Sequence, residues 1–167
     1  YFFYLLRVHY KKTWITEGQE FSDQLRVGLY FAEGATSNIE SLIVSSPNEF
    51  QDSEITFVHR LNQDVNLLGL LPEIDLDVKD VRIVANTPNG DQIPLLFLRE
   101  PGTEWPTRYW FESPVPLASG AELLIRGSLP PAYSHERRLS LFDSGNLSPI
   151  RILVDYSAVN SQIAQRN

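Results

Sequence analysis

The stretch Leu67–Leu98, LLGLLPEIDLDVKDVRIVANTPNGDQIPLLFL, decides how the rest of the chain is read. Leu67 to Leu71 is an apolar run that leads into Pro72, and it reads as a strand. Asp75 to Val84 alternates, but Leu76 and Val78 are out of phase with Val81 and Ile83. Successive strand side chains point to opposite faces, so a lost phase implies a bend or bulge near Lys79-Asp80. Asn86 to Asp91 reads as a hairpin turn, because Asn89-Gly90 readily takes the positive φ angles of a tight turn. Ile93 to Leu98 is then the returning strand, and the local structure is antiparallel sheet.

Reading outward, the same grammar repeats. Residues 2–10 are a continuous apolar run broken by Arg7 and His9, which implies a strand covered on both faces. Gln24 to Ala32 alternates, with Leu25, Val27, Leu29 and Phe31 on one face, and predicts a half-buried strand. Ile39–Ser45 and Glu54–Arg60 follow, the latter with Ile55, Phe57 and His59 on one side. Downstream, Trp105–Glu112 reads as an aromatic strand and Ser113–Gly120 as a proline-rich break. Ala121–Gly127, Arg138–Phe142 and Pro149–Tyr156 complete the set, before a polar C-terminal tail. About ten short strands at turn spacing, with no convincing helix, predict an all-β fold: an antiparallel β-sandwich or jelly roll.

Composition narrows the function classes. Hydrophobic residues make up 43% of the 167, enough for an ordinary core. A chain of this length buries roughly two-thirds of its unfolded surface, so no covalent staple is required. The net charge is −7 and no basic stripe appears, which argues against nucleic acid. There is no Cys, which excludes disulfides and thiol chemistry, and no Met, even at position 1. The missing initiator implies a processed chain or a trimmed piece. No run approaches the ~20 apolar residues of a membrane-spanning helix. YFFYLL at Tyr1–Leu6 reads first as a buried strand, and second as the exit of a membrane anchor at or upstream of Tyr1.

Several segments together carry a resemblance. They are LLRVHY at 5–10, DQLRVGLYFAE at 23–33, LLGLLPEIDLDVKDVRIVANTPNGDQIPLL, and the later run with Trp105, Tyr109, Phe111, Pro114, Leu117 and Gly120. In these the chain resembles the copper type II, ascorbate-dependent monooxygenases, the family of peptidylglycine α-hydroxylating monooxygenase, most of all its bacterial members. The resemblance covers most of residues 5–156. It implies two β-sandwich domains, each holding a copper. Residues 1–34 would correspond to the end of the first domain, 35–157 to the second, and 158–167 to a polar tail.

The resemblance also locates the ligands. The family's first-domain His matches His9. The His-x-His pair of the second copper matches Glu73 and Asp75, and its Met falls near Pro149. Copper that cycles between Cu(I) and Cu(II) needs imidazole and thioether donors, whereas carboxylates are hard oxygen donors suited to Ca²⁺, Mg²⁺ or Mn²⁺. His9 without partners cannot hold copper. No catalytic residue, metal or cofactor is therefore expected. The implied role is a non-catalytic binding or accessory subunit of an extracytoplasmic, periplasmic assembly. Its partners would be proteins, including a membrane-bound cytochrome-containing complex. The alternative is a copper-dependent, ascorbate-using monooxygenase completed by a missing N-terminal domain.

Other residues carry weaker signals. His59 and His135 match no family ligand and read as structural or surface residues. Ser140 and Ser144 stand in no nucleophile motif. Glu73, Asp75, Asp77 and Asp80 form an acidic cluster, read as a solvated strand face or a dock for a basic partner. Trp105, Tyr109, Trp110 and Phe111 read as core residues, with a sugar or peptide groove as the other reading.

Overall fold

The computed structural model describes residues 17–20, 22, 24–30, 38–47, 53–74, 78–102, 106–129 and 148–159. The chain divides into two compact units, Tyr1–Ala35 and Thr36–Asn167. Among the described residues the second holds eight strands: β1 Glu40–Ser45, β2 Glu54–Arg60, β3 Val65–Ile74, β4 Asp80–Asn86, β5 Gln92–Arg99, β6 Tyr109–Leu117, β7 Glu122–Ser128 and β8 Ile150–Ala158. They form two antiparallel four-stranded sheets. The first has the order β1-β8-β3-β6 and the second β2-β7-β4-β5. The pairs β1–β8, β2–β7, β3–β6 and β4–β5 are each hydrogen-bonded, which is a folded ribbon of strand pairs wrapped into a jelly roll. The expected all-β sandwich is the fold.

The core lies between the sheets. Val65, Leu67, Leu70 and Ile74 of β3, with Ile150, Ile152 and Val154 of β8, meet Ile55, Phe57, Val81, Ile83, Leu123 and Ile125 of the other sheet. Full burial of such a side chain contributes about 1.5–3 kcal/mol. With no disulfide in the chain, this cluster is the main source of stability for the sandwich.

A bulge tunes β3 to that core. Between Leu67 and Gly69 the register shifts by one residue against β8, leaving Leu68 extra. Inward positions thus change from odd numbers (Val65, Leu67) to even ones (Leu70, Ile74), as a bulge allows. The apolar string LLGLLP hid this switch. The strand also runs on through Pro72. Pairing of β3 with β6 ends at Leu70–Tyr109, so beyond it β3 is laddered on the β8 side alone. That half-free edge is where a residue without an N–H fits.

Three expectations need correction. Asp75–Val84 is not one bent strand. β3 belongs to the first sheet and β4 to the second, and Val78 and Lys79 lie outside both strands. The lost phase near Lys79-Asp80 records a change of sheet. Ser113–Gly120 is not a break, since β6 continues to Leu117 and tolerates Pro114 and Pro116 because it is an edge strand. Its ladder is instead interrupted between Trp110 and Val115. Gln24–Tyr30 alternates yet forms no strand, and Leu25, Val27 and Leu29 are exposed. Alternation becomes a strand only where a partner satisfies the backbone, and no ladder reaches these residues. The hairpin turn expected over Asn86–Asp91 is in place between β4 and β5. Gly90 N–H donates to Thr87 O at 3.0 Å and Thr87 N–H to Asp91 O at 2.8 Å. Pro88-Asn89 are the turn's centre, and Gly90 alone takes a positive φ of 91°. The strands expected at 2–10 and 138–142 lie outside the described residues.

Candidate functional site

The copper-ligand positions implied by the resemblance converge at one end of the first sheet. Glu73 sits at the end of β3 opposite Arg151 of β8, and Ile74 is opposite Ile150, the residue after Pro149. The fold therefore brings Glu73 and Pro149 to neighbouring strand ends. Their chemistry does not suit copper. The Glu73 carboxylate accepts from Arg151 Nε at 2.8 Å, and Arg151 Nη2 donates to the same oxygen. Both side chains are largely shielded from water, so the carboxylate is committed to its guanidinium. Pro149 is buried and its ring offers no donor atom. Asp75 and His9 lie outside the described residues, as do His135, Ser140 and Ser144. Among the described residues no group of three His, Asp or Glu side chains converges as a metal site. His59 is half-buried on the inward-facing side of β2, opposite Leu123.

The acidic cluster is not one face. Glu73 belongs to the first sheet, whereas Asp80 opens β4 in the second and accepts from Ser128 Oγ at 3.1 Å. Asp77, like Asp75, is outside the described residues. Glu73 and Asp80 thus lie on opposite layers of the sandwich and do not share one face.

The aromatic strand also departs from its core reading. Phe111 packs against the core, but Trp110 is 58% exposed and Tyr109 36%. Trp105 is outside the described residues. Trp110 lies on the outer face of the first sheet over Gly69, where an added Cβ would come within 2.7 Å of its Cε3. Only a glycine gives the indole room there. The same row holds a polar network that sequence reading missed. Ser41, Asp155, Gly69 and Trp110 are successive cross-strand neighbours on β1, β8, β3 and β6. Asp155 is 2% exposed, accepts from Ser41 Oγ at 2.7 Å and pairs with Arg108. The Arg108 guanidinium carbon in turn stands 5.5 Å from the Trp110 ring centroid. A buried carboxylate held this way is satisfied on both oxygens, which makes it a structural clamp for the edge strand rather than a reactive acid. These partners are 114 and 47 residues from Asp155 along the chain, so only the register reveals them.

At the rim of the same sheet, Tyr156 donates to Glu40 Oε2 at 2.9 Å. That hydrogen bond first, then burial, then the Glu40 charge, hold the phenol above its ordinary value of 10.0. On the second sheet, the outer face carries Arg82 of β4 directly opposite Arg126 of β7, beside exposed Phe97. No family model matches the chain, and no curated protein matches it.

Proposed function

We propose that this chain is a non-catalytic β-sandwich that serves as a binding or accessory subunit of an extracytoplasmic, membrane-associated protein assembly. The observation that carries the reading is the Glu73–Arg151 pair. At the position where the copper monooxygenase resemblance puts an imidazole ligand, this chain has a carboxylate already neutralised by the adjacent strand. Pro149 at the thioether position removes the soft donor that would stabilise Cu(I). Supporting it, the buried Asp155 is consumed by Ser41 and Arg108. What the sandwich offers a partner is surface: exposed aromatics and arginines on outer sheet faces, the residue types that anchor interfaces. The extracytoplasmic location and a cytochrome-containing partner rest on the resemblance alone.

Calorimetric titration of the full-length protein with Cu(II), and with Cu(I) under anaerobic ascorbate, tests the reading. The expected result is no saturable site at one copper per chain. A stoichiometric site that disappears in Glu73→Gln would overturn it.

A further inference from the structure

The outer face of the second sheet carries two adjacent rows with opposite chemistry. Val58, Leu124, Val84 and Pro94 are cross-strand neighbours on β2, β7, β4 and β5, and form an apolar row. Thr56, Arg126, Arg82 and Phe97 form the next. Val58 is 52% exposed and Phe97 50%, and both arginines are exposed. Like charges directly opposite one another destabilise a sheet. The Arg82 guanidinium carbon lies 5.2 Å from the Phe97 ring centroid, and among the described residues Arg82 makes no ion pair. Arg126 makes no ion pair or hydrogen bond among the described residues. On the flanking rows Arg60 and Arg99 stand with Glu54, Asp80 and Glu122, so the face holds four arginines against three carboxylates in a chain of net charge −7. Beside the arginine row an open depression is lined by Arg82, Val84, Gln92, Pro94 and Phe97 among others.

We propose that this face docks an acidic segment of a partner protein that also carries apolar side chains. Its carboxylates sit between Arg82 and Arg126, and its apolar groups lie on the Val58–Leu124–Val84–Pro94 row. A carboxylate relieves the repulsion between the arginines and matches the guanidinium fork. A small ligand normally has most of its surface buried in a concave site, which this open face does not provide, whereas a protein segment can span both rows. The inference rests on the accessory-subunit reading and names the chemistry of the partner.

The test uses full-length ¹⁵N-labelled protein and a synthetic octapeptide that alternates Asp or Glu with Leu or Phe. Binding should shift the Arg82 and Arg126 Nε–H resonances and weaken as salt rises. The R82Q/R126Q double variant should bind about tenfold more weakly, while E40Q, on the other sheet, stays within about twofold of the parent. Loss of binding when Asn and Gln replace the acids in the peptide supports the same conclusion. The surface is overturned if the parent protein does not bind the peptide, or if R82Q/R126Q binds it undiminished. It is also overturned if inorganic phosphate alone displaces the peptide, which marks a small-anion site, or if the face is occluded in a self-associated dimer. Copper titration is independent of these arms. A copper site would sink the accessory reading and leave the peptide result standing, and failure of the peptide leaves the accessory reading in place.

Discussion

Asp155 is the residue whose surroundings say most about how the first sheet is held. It faces outward from β8 by its alternation with Val154, yet it is almost wholly buried, hydrogen-bonded to Ser41 and paired with Arg108. Removing the carboxylate leaves a guanidinium without its counter-charge. Breaking a buried pair costs about 3–5 kcal/mol, and Arg108 remains one-third exposed, so Asp155→Ala should cost roughly 2–4 kcal/mol in urea unfolding. A cost below about 0.5 kcal/mol, the range of neutral surface changes, would show that the pair is not a clamp. Tyr156 gives a pH-dependent prediction. Its folded-state pKa is raised, so the folded protein holds the phenolic proton more tightly than the unfolded chain does. The resulting stability is fully present below 10.0 and is lost as pH rises through the folded-state value. A tyrosinate absorbance titration, taken as the difference from Tyr156→Phe, should place the midpoint above 10.0, and Glu40→Gln should bring it back towards that value.

At the scale of strands, the paired arginines make a testable conflict between stability and binding. Arg82 and Arg126 repel across β4 and β7. Replacing Arg126 with Thr, a residue that suits a sheet, should raise the unfolding free energy by about 0.2–1 kcal/mol while weakening the octapeptide. A purely structural Arg126 would give the reverse, a loss of stability. Some of this architecture was legible in the residues. The alternation of Ile55, Phe57 and His59 located β2 and its inward face, and Asn86 to Asp91 located the β4–β5 turn. What escaped was whatever depends on pairing. The Leu68 bulge is invisible in an all-apolar string, and a change of sheet between β3 and β4 mimics a bulge in one strand. Prolines read as a break until β6 is known to be an edge. Gln24–Tyr30 has the right period and no ladder. The clamp at Asp155 and the Arg82–Arg126 pair both need a register that local sequence does not contain.

For the whole molecule, the jelly roll supplies two outer faces with different characters. The first sheet presents a closed polar network, with Glu73, Arg151, Asp155 and Arg108 paired among themselves. The second presents Arg82 and Arg126, which form no ion pair among the described residues, with an exposed Phe97 and an apolar row. Oxidation by a copper enzyme requires redox-capable ligands at fixed positions, whereas docking requires only a rigid scaffold and exposed anchors. This chain has the scaffold and the anchors, and at Glu73 and Pro149 it has residues that suit packing and pairing. Under the function proposed above, such a fold serves association and not oxygen chemistry. Oxygen uptake by the full-length protein, loaded with one equivalent of copper and supplied with ascorbate, tests it most directly. The expected result is consumption no faster than free copper and ascorbate give without protein. Protein-dependent uptake that saturates at one copper per chain and is abolished by Glu73→Gln would contradict it.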